Sequence, residues 1–163
     1  MIAKSNLFLT MIFITLILAT SASANVNLAL TTGESRYFAD DIFMLKLDLS
    51  ISEINSFNGD VYLVAIDPNG TAYFAPEWQQ NPKPLLSNFP FPPSINIRSA
   101  LIVEQIVPVL SFPMTDKGEY TFAIGIAKAG TADFYDIATC KTEYKGDREW
   151  MVINKDDGIE DEI

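Results

Sequence analysis

The chain has 163 residues, a length that suits one domain with a single hydrophobic core. Its formal net charge of −10 makes nucleic acid and anionic membrane surfaces unfavourable partners, because both are negatively charged. The chain has no histidine and one cysteine, so it lacks the usual base of serine and cysteine hydrolases and cannot form an intrachain disulfide. Any metal site would need oxygen ligands, and we expect no metal and no cofactor.

The first 24 residues have the pattern of a secretory signal peptide. Lys4 is followed by a mainly apolar stretch from Leu7 to Ala19 and by the small residues Ala22-Ser23-Ala24. The apolar stretch is shorter than the roughly 20 residues that span a bilayer. The pattern predicts cleavage after Ala24, a mature chain that starts at Asn25, a secreted or periplasmic location and no stable membrane anchor.

Strand patterns begin after the leader. Apolar residues alternate with more polar ones from Phe43 to Ile51, which is typical of a half-exposed strand. Val61 to Ile66 is almost entirely apolar, and Asp67-Pro68-Asn69-Gly70 separates it from Thr71 to Phe74. Proline presets φ and glycine accepts positive φ, so this segment predicts a tight β-hairpin.

Residues 76–94 are rich in proline, which lacks a backbone donor and restricts the residue before it. We therefore expect an irregular, stiff loop. It contains Pro76, Pro82, Pro84, Pro90, Pro92 and Pro93. Residues 95–110 predict one or two strands interrupted near Pro108, which favours an edge strand or a bend.

The last third of the chain contains the clearest core strand. A turn at residues 116–119 precedes residues 120–127, in which large apolar residues alternate with small ones. Ala129-Gly130 predicts a turn, and weaker strands are predicted at 133–140 and 149–153. Residues 154–163 form a predicted acidic tail. The pattern predicts an all-β domain over residues 25–153.

Asp116-x-Gly118-x-Tyr120, followed by alternating apolar residues, resembles the start of strand F in immunoglobulin-like domains. The resemblance implies an immunoglobulin-like Greek-key β-sandwich in which the tyrosine hydroxyl bonds back to the chain. Phe122 stands where antibody domains have their second cysteine. The segments 60–70 and 118–122 together resemble β-sandwich modules of bacterial exported proteins that have no assigned activity.

Aromatic residues cluster around the hairpin and the proline-rich loop. The predicted binding residues are Tyr62, Tyr73, Trp78, Phe89 and Phe91. Their rings could hold a protein partner or stack on sugars, or the loop could bury them against itself. Both faces of the strand at 61–66 are apolar, so either the proline-rich loop or another protein is expected to cover its outer side.

No spacing of acidic residues matches a known calcium loop, and no pair of carboxylates is marked as catalytic. We therefore expect a non-catalytic binding or assembly module that engages a protein partner through a sandwich face and the aromatic, proline-rich loop. The alternative is a carbohydrate-binding module for an envelope glycan. A hydrolase that uses an oxygen-ligated metal is a third hypothesis.

Overall fold

The computed structural model describes residues 25–53, 55–106 and 114–148, which form nine strands and no helix. The strands are β1 Asn25–Thr32, β2 Arg36–Tyr37, β3 Ile42–Ser52, β4 Phe57–Ile66, β5 Ala72–Phe74, β6 Leu86–Phe91, β7 Ser94–Ile106, β8 Gly118–Lys128 and β9 Phe134–Tyr144. The predicted signal peptide, Pro108, the strand at 149–153 and the acidic tail lie outside these residues. In the described ranges, no helix has the length and apolar character needed to cross a membrane.

The strands form two sheets. The smaller sheet has the order β1-β3-β7, and the larger has the order β2-β9-β8-β4-β5, with β6 also paired to β4. β2 runs parallel to β9, and all the other pairs are antiparallel. The all-β prediction is therefore confirmed, and the architecture is a two-sheet sandwich.

The core lies between the sheets because alternate residues of each strand point inward. β8 presents Tyr120, Phe122, Ile124 and Ile126 to the core, as its alternating pattern predicted. The other strands complete the core with Val26, Leu30, Phe43, Leu45, Leu49, Ile51, Val61, Leu63 and Ala65. Burial of these side chains stabilises a fold whose single cysteine excludes an intrachain disulfide.

The predicted hairpin is present as β4, β5 and the turn between them. Asp67 Oδ1 accepts the N–H groups of Asn69 at 2.9 Å and Thr71 at 2.7 Å, and Gly70 has a φ of 82°. An aspartate that caps its own turn and a glycine in the left-handed region are the features that make this segment fold locally.

The tyrosine implied by the resemblance makes the expected contact. Tyr120 Oη donates to the carbonyl of Asp116 at 3.0 Å and accepts the N–H of the same residue at 3.2 Å. Burial raises the pKa of this hydroxyl to about 12, so it stays protonated and can donate at neutral pH.

Three strand predictions need correction. Residues 86–91 of the expected irregular loop form β6. Among the described strands β6 pairs with β4 alone, so Pro90 can lie there without supplying a donor to a second partner. β1 and β2 were not predicted at all. β9 continues beyond the expected end to Tyr144, and its last residues pair with the start of β8.

Candidate functional site

The outer face of the larger sheet carries an apolar surface. We define the outer-face patch as Tyr62, Val64, Ile66, Ala72, Phe74, Ala123 and Phe134. It forms because cross-strand partners share a face: Val64 lies opposite both Phe74 and Ala123. Val64 and Phe74 are buried among these neighbours, whereas Tyr62 and Ile66 remain half-buried.

An aromatic pair forms one end of the patch. The rings of Tyr62 and Phe134 lie 5.7 Å apart at an angle of 57°. The Phe134 ring lies against Gly125, where an added Cβ would be 2.7 Å from Phe134 Cε1. Glycine is therefore needed at this position for the ring to lie on β8. The pKa of the Tyr62 hydroxyl is raised, first by burial and then by the nearby Asp60 carboxylate.

Two of the predicted binding residues pack on the inner side of the sheet. Tyr73 lies opposite Ala65, which faces the core, and both Tyr73 and Trp78 pack against the main core. Burial and then the Asp67 carboxylate raise the pKa of the Tyr73 hydroxyl, whose oxygen is 3.5 Å from Asp67 Oδ2.

Phe89 and Phe91 belong to β6 and differ in exposure. Phe91 is 3% exposed and stacks on Phe57 at 5.2 Å, so it offers almost no surface to a partner. Phe89 is 39% exposed and contacts the edge of Phe91 at 5.0 Å. A row of aromatics thus runs from the surface into the core, and Phe89 is its exposed end.

The five predicted residues do not form one site. Tyr62 belongs to the outer-face patch, Tyr73 and Trp78 pack on the core, and Phe89 lies at the β6 edge. β6 continues the sheet beside β4, and the buried and partly buried apolar residues of the patch come from β4, β5, β8 and β9. Cover of the outer face by the proline-rich loop stays a prediction.

Sequence reasoning missed Phe134 and Gly125 as members of this surface. The apolar outer side of residues 61–66 already pointed to this face. Only the register of β8 with β9, which the sequence alone does not define, brings Phe134 over Gly125.

Asp60 is a buried carboxylate beside the aromatic pair. Its Oδ1 accepts the N–H of Asn88 at 2.6 Å, and its Oδ2 accepts the N–H of Gly130 at 2.8 Å. The N–H of Asn88, followed by that of Gly130, lowers the pKa of Asp60 despite burial, which acts in the opposite direction. This ionised group holds β6 and the β8–β9 turn to β4.

A polar cleft at one end of the sandwich is lined by Ala39, Asp40, Asp41, Asp147 and Arg148. Arg148 pairs with Asp41 at 2.5 Å and lies over the Phe38 ring at 4.8 Å. The Phe38 N–H and then Arg148 lower the pKa of Asp41. Over the described ranges, no group of three or more Asp, Glu or Cys side chains could hold a metal ion.

Cys140 lies on β9 and packs partly buried against the core. Burial raises the pKa of its thiol to about 11, so little thiolate forms at neutral pH. This partly buried position is typical of a lone cysteine that packs as a small apolar residue.

The chain is similar to two solved structures at low sequence identity. One is the CARDB domain of a Pyrococcus furiosus protein in complex with di-metal ions, with 11% identity and a TM-score of 0.44, over 80% of this chain and 100% of that domain. The other is the Pseudomonas fluorescens alkylpurine DNA glycosylase AlkC bound to DNA with an abasic site analogue, with 12% identity and a TM-score of 0.47, over 83% of this chain and 34% of that one. No family model matches the sequence, and no curated protein sequence aligns with it significantly. Similarities of this size carry no inference about ligands or activity.

Proposed function

We propose that this chain is an exported, non-catalytic, immunoglobulin-like binding module whose outer-face patch engages a partner protein. The observation that carries the proposal is an aromatic and aliphatic face of the larger sheet on which Tyr62, Ile66 and Phe134 are half-buried and keep surface that a partner can cover. An antiparallel sheet facing water normally presents polar side chains there. A contiguous apolar surface on such a sheet is typical of an interaction site.

The strand order supports the immunoglobulin-like, Greek-key part of the proposal. The chain changes sheet five times among the described strands, at β1–β2, β2–β3, β3–β4, β6–β7 and β7–β8. Such crossings, together with the hydrogen bond of Tyr120 at the start of β8, are features of that class of sandwich. The leader at residues 1–24 supports the proposal that the module is exported.

The surface chemistry favours a protein as the ligand. Tyr62 and Phe134 supply aromatic contact area, and Ile66 adds an aliphatic one, the composition that dominates the centres of protein interfaces. The net charge of the whole chain is −10, which favours a partner with a basic rim.

The test is capture from native envelope extract with the processed protein as bait. Tyr62→Thr removes the aromatic ring and keeps a β-branched residue that suits a strand. Leu101→Thr is the matched control, because Leu101 is 45% exposed on the smaller sheet. We expect the unchanged protein and Leu101→Thr to retain the same partner and Tyr62→Thr to lose it. Equal capture by both variants would contradict the proposed surface.

A carbohydrate ligand is the second candidate function, because the Tyr62 and Phe134 rings could also stack on a sugar. Parallel extracts treated with protease or with glycosidases separate the two. Loss of capture after protease alone supports the protein partner. Loss after glycosidases alone supports a glycan, and Phe89→Thr then tests whether the β6 edge takes part.

A further inference from the structure

The first residue of the predicted mature chain is already part of the sandwich. Asn25 pairs with Ser52 at the start of the β1–β3 ladder. The backbone nitrogen of Asn25 lies 2.5 Å from Glu53 Oε1. A carboxylate is therefore in place at the backbone atom that cleavage after Ala24 would change.

The sequence pattern and the position of Glu53 both concern the peptide bond between Ala24 and Asn25. Ala22-Ser23-Ala24 marks the bond between Ala24 and Asn25 as the cleavage site. We propose that removal of the leader at this bond creates an ion pair between the α-ammonium group of Asn25 and the carboxylate of Glu53. The inference rests on the export that forms part of the proposed function.

The chemistry is a hydrolysis by a host peptidase specific for small residues. Water adds across the Ala24–Asn25 bond, so that the carbonyl carbon of Ala24 gains a hydroxyl group and ionises to a carboxylate. The nitrogen of Asn25 gains a hydrogen and then a proton from solvent. A neutral amide with one donor becomes a cation with three donors, while Glu53 stays where it is.

The surroundings of Asn25 favour the cation. In the described part of the chain, Glu53 has no ion pair with lysine or arginine. The hydroxyl of Tyr135 is neutral near pH 8, because burial and then Glu53 raise its pKa. Asp136, another anion, accepts the N–H of Leu28 on β1 at 2.7 Å. Asp48 and Arg98 line a cleft with Asn27 and Leu28, and Glu53 is the charged side chain within hydrogen-bond distance of the Asn25 nitrogen.

The ion pair would fasten an edge strand. β1 pairs with β3 alone among the nine described strands, and the Asp136 carboxylate provides a further contact at Leu28. Edge strands need such devices because their backbone groups are not all paired within the sheet. Processing would thus complete the attachment of β1 at its first residue.

The full chain should be expressed in an exporting host and purified after processing. Intact mass should give Asn25 as the first residue. The rate of α-amine acylation at pH 8 is then compared among the unchanged protein, Glu53→Gln and the control Glu104→Gln. Glu104 is exposed on β7, and Glu104→Gln removes one negative charge as Glu53→Gln does. An α-amine has an ordinary pKa of about 7.7–8.0, and an exposed ion pair slows its acylation by about two- to fivefold.

We expect Glu53→Gln to acylate about two- to fivefold faster than both other proteins. Equal rates for the two variants on a chain that starts at Asn25 would overturn the ion pair and leave the proposed function intact. A retained leader, or cleavage at another bond, would overturn the inference at its premise. Retention would also contradict export, whereas the Tyr62 variant tests binding separately.

Discussion

Replacement of Asp60 by asparagine should lower the free energy of unfolding more than the same change at an exposed aspartate. Asp60 is 4% exposed, and its two oxygens accept separate backbone N–H groups from β6 and from the β8–β9 turn. Asparagine has one acceptor oxygen, so its NH₂ group would face one of these N–H donors. The loss of a hydrogen bond to a charged group, with a donor left unsatisfied, costs roughly 2–4 kcal/mol.

The assay is urea unfolding of the processed protein at pH 7. Asp133→Asn is the matched control, since it removes the same charge from the nearby turn at an exposed residue 4.0 Å from Lys128. An exposed ion pair contributes roughly 0–1 kcal/mol, so the control should change the free energy of unfolding little. A loss for Asp60→Asn no larger than that of the control would refute the argument.

The effect of Asp60 should also depend on pH. Its pKa is lowered in the folded protein, so its stabilisation is present above the unfolded pKa of about 3.9 and is lost as pH falls through the folded pKa. The difference in unfolding free energy between the unchanged protein and Asp60→Asn should stay constant from pH 7 to about 5 and shrink below about 4. A difference that is independent of pH down to 3 would contradict the role of the ionised form.

Three further outcomes follow from single contacts. Gly125→Ala should lower the free energy of unfolding by about 1–3 kcal/mol in urea titration, because the new Cβ would meet the Phe134 ring at 2.7 Å; an unchanged midpoint would contradict this contact. Tyr120→Phe should lose about 1 kcal/mol in the same assay, because the bond to the Asp116 carbonyl disappears; no loss would show that the hydroxyl is dispensable. Cys140 should react slowly with a thiol reagent at pH 8 in the folded protein and quickly in urea, because its pKa is raised to about 11; equal rates would contradict its burial.

The central strands could be predicted because their signals are local. The period-two pattern of β8 and the Asp67-to-Gly70 turn of the hairpin depend on neighbouring residues alone. β1 has the same alternation at Val26, Leu28 and Leu30, so it was predictable although it was not predicted. β2 has two residues and depends on a parallel pairing with β9, a long-range contact that leaves no local pattern.

The proline-rich segment shows how a correct local rule can give a wrong element. Proline cannot donate in a ladder, and six prolines favoured an irregular loop over 76–94. β6 forms nevertheless, since Pro90 lies on a strand that has one partner, β4, in the part of the chain that the structure describes. The candidate site likewise combines local and long-range information. Tyr62 could be predicted from the apolar outer side of β4, whereas Phe134 contacts Tyr62 because of the β8–β9 register.

Burial within the outer-face patch determines which of its residues could contribute to binding. Val64 and Phe74 are only 1% and 4% exposed, so a partner would remove little more of their surface from water. Tyr62 and Ile66 are half-buried and keep surface that a partner can cover. Substitution of Val64 should therefore act through stability, whereas substitution of Tyr62 should act through binding. This division separates a recognition surface from an apolar cluster that only stiffens the sheet.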